Sequence, residues 1–256
     1  KFVAAFDVDA TAKCFFELLK REIIANPEKT PGSLIVYEPP VLSRSNFKKQ
    51  DEIKIESTHQ STTRAEVEGF VHLHVHSQYS VLQSTSTIDS ILNRVSEMNG
   101  TTVAVTDSNN MMGAFHFVSA AHKKGIKPIV GCELNVCKNH KDRTHQDDGF
   151  PVLFLAKNYQ GYQNLSKLSS IANTDGYYYV PRIDKDLVAQ YKEGLIVSTG
   201  SVFGEIPFHI LNIGEERAEG QFLWWKETFG DDFYGELTNH GLEEEHVVNE
   251  VILQFC

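Results

Sequence analysis

From residue 70 onward the chain alternates between short apolar runs with strand character and longer runs with helical periodicity, and this alternation constrains the fold more than any other feature. The strand-like runs are FVHLHVH (70–76), TTVAVTD (101–107), KPIVGCEL (127–134), PVLFLAK (151–157), GLIVST (194–199) and DFYGELT (232–238). Helical patterns fall near 87–99, 113–124, 159–172, 183–191, 214–229 and 241–255. Strand followed by helix, repeated, implies βα units and a parallel sheet. Runs such as VAV and PIV are apolar on both faces, as strands of a covered parallel sheet are. Six such runs in one stretch predict an α/β fold of the barrel type, incomplete at its C-terminal end, with polar chemistry gathered where the strands end. The polar residues at those ends are His74 and His76, Asp107, Glu133, Ser201, and Asn239 with His240.

The region before residue 70 reads differently. Residues 7–24 carry Cys14, Phe15, Leu18, Leu19 and Ile23 at helical spacing, with Asp7 or Asp9 placed as N-cap. NPEKTPGS then breaks the pattern, and DEIKIESTHQSTTRAEVEG is polar and charged, as expected of a linker. The chain does not open with Met and closes within a helical pattern, so it reads as part of something longer.

Composition narrows the functional classes. A formal net charge of -10 argues against these residues alone gripping a phosphate backbone, which takes a basic surface. The four cysteines form no CxxC pair and no disulfide framework, which fits a reducing, cytoplasmic setting. No apolar run approaches the roughly 18 residues of a membrane span, and no membrane partner is expected.

FVHLHVH is the chemically pointed segment. Side chains alternate across a strand, so His72, His74 and His76 share one face while Val71, Leu73 and Val75 face the helices. An HxH pair can direct two imidazole nitrogens to one zinc, manganese or iron ion. A half-exposed strand that happens to use histidine is the competing explanation. Asp107 and Glu133, each closing a strand-like run, are the further candidates, although either would serve equally as a cap or loop residue. His140 and His145 lie in a polar loop and read as solvated surface.

Several blocks, in order, carry a family resemblance: FVHLHVHSQYS, VAVTDSNNMMGAFHFVSAAHKKGIKPIVGCEL, FLAKNYQGYQNLSKLSS, YYYVPRIDKDL, GLIVSTGSVFGEIP and FGDDFYGELTNHGLEEEHVVNE. Together they resemble the PHP (polymerase and histidinol phosphatase) domain of the alpha subunit of bacterial DNA polymerase III. The resemblance implies a distorted seven-stranded barrel over 68–256, ahead of the polymerase core. It implies chromosome replication as the setting, with DNA, dNTPs, other replicase subunits and a proofreading exonuclease as partners and magnesium serving the polymerase. In some family members the barrel holds a metal cluster supporting phosphoester hydrolysis; in others the domain is a scaffold.

The ligand set carried over by this resemblance is incomplete. His74 and His76 match the first metal pair, Asp107 the aspartate of TDH, and Glu133 the glutamate of GCE. The aspartate of SLLDG is Gln83 here, the histidine of TDH is Ser108, the histidine before LLAKN is Pro151, and the cysteine of SGC is Ser201. Glutamine and serine are weak neutral donors, and proline has no ligand atom in its side chain. The expectation is a vestigial site with room for residual zinc or manganese, no cofactor required, and a structural role for the domain. The alternative is an active metal-dependent phosphoesterase or 3′–5′ exonuclease; a free-standing small-molecule phosphatase is disfavoured by GYYYVPRID and GEIP. Separately, FVAAFDVDATAKCFFELLK resembles the last helix of epsilon-type proofreading exonucleases, HxAxxD, with Asp7 in the metal-binding position and Phe2 where the histidine belongs. That resemblance implies residues 1–24 end a truncated exonuclease-like domain, 25–67 a linker, and an exonuclease acting in cis or trans.

Overall fold

A computed structural model describes residues 70–256. The expected helix over 7–24, with Asp7, and the expected linker lie outside those residues. The described elements run in the order α1 (Ile88–Glu97), β1 (Thr102–Val105), α2 (Ala114–Lys123), β2 (Lys127–Cys137), β3 (Phe150–Ala156) and α3 (Tyr159–Thr174). They continue with β4 (Ile183–Asp184), α4 (Lys185–Gln190), β5 (Leu195–Ser198), α5 (Glu205–Asn212), α6 (Glu215–Phe229), β6 (Phe233–Tyr234) and α7 (Glu243–Phe255). The result is mixed α/β, with one six-stranded sheet in the order β1-β2-β3-β5-β6 and β4 attached to β2.

Local chemistry explains the boundaries. Thr87 caps α1 by accepting the amide of Ser90 at 3.1 Å, and Ile88, Ile91, Leu92 and Val95 give that helix one buried stripe. Asn158 does the same for α3 through the amide of Gly161 at 2.9 Å. In β3 the alternation serves two layers. Val152 and Phe154 enter the large core with Leu165, Trp225 and Phe229, while Leu153 and Leu155 join Ala104 in a smaller cluster on the other face. Among the described residues no helix is long and apolar enough to cross a membrane.

The uniformly parallel sheet expected from sequence needs correction. β3 is antiparallel to both β2 and β5, whereas β1–β2, β2–β4 and β5–β6 are parallel. The cause is the connection: 138–149 forms a loop and no helix, and a strand that returns without a crossover pairs antiparallel. β2 therefore changes partner midway, pairing with β1 over 127–130 and with β3 from Gly131. A Cβ at Gly131 would come within 2.6 Å of the Phe154 carbonyl oxygen, so the close approach needs glycine.

A second difference concerns 70–76. This segment lies along β1 through one parallel bridge, His72 to Val103, and through the Ala104 and Thr106 amides, which donate to the carbonyls of His72 and Val75. It does not form a full strand. Val75 packs on the α1–α2 cluster as expected, but Leu73 is 45% exposed. Among the described residues, no ladder joins it to β6.

At the start of α7, the buried Glu245 accepts the amides of His240 at 2.5 Å and Leu242 at 3.3 Å, and pairs with the His240 ring. Burial works against its ionisation, but these hydrogen bonds prevail and bring its pKa down to about 2. A carboxylate depressed on folding stabilises above its ordinary pKa of 4.5 and loses that contribution as pH falls towards 2. Amide exchange at His240 and Leu242 is therefore expected to accelerate across that window beyond its intrinsic pH dependence. Unaltered protection at pH 2 would contradict the role given to Glu245.

Candidate metal centre

Three side chains converge beside the point where β2 leaves β1. His74 Nε2 lies 3.1 Å from Glu133 Oε2, and His76 Nε2 lies 3.8 Å from Glu133 Oε1. One ligand atom from each falls within 4.8 Å of the others. The parallel bridge from Ser108 to Glu133 brings the end of β1 to this point, and the Ser108 hydroxyl, with one proton to donate, lies 2.5 Å from Gln83 Oε1 and 3.2 Å from Glu133 Oε1. Glu133 itself is not at a strand end, contrary to expectation, because β2 continues to Cys137.

The fourth expected ligand, Asp107, stands apart. Its carboxylate accepts the Ser77 amide at 2.6 Å, the Ser77 hydroxyl at 2.7 Å and the Ser80 hydroxyl at 2.7 Å, buried at the foot of the 77–80 turn. Both oxygens are engaged in holding that turn. His72 lines the same cavity but is not among the converging groups, and its ring packs edge-on against Phe70.

Glu236, which the sequence reading passed over, is part of the arrangement. Its Oε1 pairs with His74 Nδ1 at 2.8 Å, and its Oε2 accepts the Ser198 hydroxyl at 2.6 Å. It lies just past β6 in DFYGELT, a run already read as a strand, so the rule that flagged Asn239 and His240 could have found it. Those two residues line the same cavity, but His240 is committed to the α7 cap.

Burial alone would lower the basicity of His74, but hydrogen bonds to Glu133 and Glu236 reverse this and raise its pKa to about 10. Each ring nitrogen of His74 faces a carboxylate, so a metal on Nε2 would have to displace a proton shared with Glu133. His76 moves the other way, lowered chiefly by burial and also by the neighbouring His74 charge. Its Nε2 is a buried nitrogen with no hydrogen-bond partner, a costly state that a cation would relieve. The donors thus fit one ion of the imidazole- and carboxylate-binding kind.

His140 requires a further correction. It is buried, not solvated, with its ring and amide both bonded to Asp184. His145 is exposed, as expected, and contacts Thr144.

The PHP domain family model matches residues 72–240. The chain belongs to the PHP domain family. Relatives of this PHP domain include DNA polymerase III subunit alpha of Borreliella burgdorferi, 43% identical over 190 residues, covering 73% of this chain and 17% of that protein. The corresponding subunits of Treponema pallidum (38% identical; 73% and 16%) and Deinococcus radiodurans (37%; 72% and 14%) are similar over the same extent. The chain therefore spans less than a fifth of these relatives' length. Among solved structures, an amidohydrolase from Chromobacterium violaceum superposes with a TM-score of 0.46 at 13% identity, over 71% of this chain and 82% of that one.

Gln83, Ser108, Pro151 and Ser201, the four positions where ligands were expected and other residues stand, line the same cavity as His74, His76 and Glu133. The cavity brings together what the sequence could only align. Pro151 is held there by the antiparallel register that pairs it with Asn135.

Proposed function

We propose that this PHP domain serves as a structural scaffold in the alpha subunit of a replicative DNA polymerase, with its hydrolytic metal cluster reduced to a remnant. One observation carries the reading: four side chains facing the cavity are Gln83, Ser108, Pro151 and Ser201, where a multi-ion cluster needs anionic or imidazole donors. The engagement of Asp107 with Ser77 and Ser80 supports it. On this reading the cluster does not fit, whereas a single zinc or manganese ion fits His74, His76 and Glu133. Such an ion would supply Lewis-acid polarisation, but the scaffold requires none.

DNA synthesis, its DNA and dNTP substrates and its magnesium then belong to the rest of the polymerase, and the other replicase subunits and a proofreading exonuclease are the partners. Residues 1–24, by the resemblance of their helix and Asp7, would end a preceding exonuclease-like domain, with 25–67 as linker.

The test is phosphatase and 3′-exonuclease turnover by the full chain with zinc and then manganese added. The expected rate equals that of the His74→Ala variant. Turnover that His74→Ala abolishes would establish the active phosphoesterase instead and overturn the scaffold reading.

A further inference from the structure

We infer that Glu236 is a positioning residue for a one-ion site at His74, His76 and Glu133. It grips the His74 ring at Nδ1 so that Nε2 is presented to the ion. The inference rests on the one-ion fit described above and is independent of whether the domain hydrolyses anything.

The geometry is that of an imidazole held from behind. The two ring nitrogens of His74 have different partners: Nδ1 meets Glu236 at 2.8 Å, and Nε2 points to Glu133 at 3.1 Å and is the atom that shares a 4.8 Å sphere with His76 and Glu133. Glu236 has no place inside that sphere. An imidazole donating its second N–H to a carboxylate is fixed in tautomer and orientation and made more basic towards a metal.

Glu236 is in turn anchored. Ser198 Oγ, at the end of β5, donates to its Oε2 at 2.6 Å, and its own amide donates to Thr199 Oγ1 at 2.9 Å. The parallel pairing of Val197 and Ser198 with Phe233 and Tyr234 sets that spacing. A relay thus runs from the β5–β6 ladder through Ser198 and Glu236 to His74, on the far side of the ring from the ion. It joins 70–76 to the β6 end, where no backbone ladder does so among the described residues. The partnerless, buried Nε2 of His76 is the independent sign that the sphere is built for a ligand.

The experiment is competition of the full chain with a chromophoric chelator for Zn²⁺ and Co²⁺, together with the absorption spectrum of the Co²⁺ form. One ion is expected to bind, and His74→Ala to abolish that binding. Glu236→Ala should weaken it about 10- to 100-fold and shift the Co²⁺ spectrum as the ring reorients. Glu236→Gln, whose amide oxygen still accepts from Nδ1–H, should restore the spectrum and most of the affinity. Should Glu236→Ala fail to fold, Ser198→Ala is read instead, with a loss of roughly 3- to 10-fold, the worth of one hydrogen bond. Wild-type affinity and spectrum in a folded Glu236→Ala or Ser198→Ala chain would overturn the inference, as would failure of the wild type to bind one ion. Neither result touches the scaffold reading, which falls only to His74-dependent turnover.

Discussion

Replacing Arg182 with alanine is expected to destabilise the folded chain by about 4 kcal/mol, among the largest effects a single substitution produces. Arg182 is fully buried, yet its hydrogen bonds go to carbonyl groups: Asp147 at 2.8 Å, Asp142 at 2.9 Å, Gly176 at 3.1 Å and His140 at 3.3 Å. The Tyr178 ring lies 5.4 Å from its guanidinium carbon. Three of the four carbonyls belong to 138–149, the loop that turns β2 back into β3. Alanine would strand them without donors and leave a void. Lysine would recover little, since a single ammonium cannot reproduce a planar fork spread over four acceptors. The loss should appear as a lowered urea midpoint at unchanged slope, with faster amide exchange over 138–149. A loss below about 1 kcal/mol would mean that the loop is held elsewhere, with His140–Asp184 as the next clasp.

Arg182 also shows what the sequence could not display. Its block, YYYVPRID, was legible as part of a family pattern, but its partners are backbone carbonyls with no sequence signature. The same limit applies to β3. PVLFLAK was recognisable as a strand from its β-branched and aromatic run, while its direction depended on the absence of a crossover helix over 138–149. Periodicity placed most helices well, because a buried stripe such as Ile88, Ile91, Leu92, Val95 survives any rearrangement of neighbours. It missed α5, EIPFHILN, where Pro207 looks like a breaker but stands in the first turn, where no intrahelical amide bond is needed.

The candidate site was legible where ligand geometry is local and obscure where it is not. HxH spacing on an extended segment aims both imidazoles one way, and His74 and His76 do converge with Glu133. Asp107 has the residue type of a ligand, but the hydroxyls that occupy it come from Ser77 and Ser80, about 30 residues away in the chain. Glu236 lies still further, 162 residues from His74. A carboxylate acting behind a histidine needs no fixed sequence interval, so only the folded arrangement reveals it.

Phe154→Ala should cost about 3–5 kcal/mol, the usual range for removing a buried phenyl ring, and it also offers a way to separate the core from the site. Phe154 is fully buried, packed near Trp225 and Phe229 on the helix-covered side of β3. Its neighbours Leu153 and Leu155 face the cavity instead. Strand alternation places the lesion on the far face from His74, His76 and Glu133, so ligand geometry should persist for as long as the chain is folded. A ligand that binds only the folded state adds RT ln(1 + [L]/Kd), about 2.7 kcal/mol at 100 times Kd. Zinc at that ratio should therefore raise the urea midpoint of Phe154→Ala by the same free energy as that of the wild type, and the increment should vanish when His74→Ala is added. A zinc increment that changes with Phe154→Ala alone would mean that the core and the site are coupled through β3, against the independence that its two faces predict.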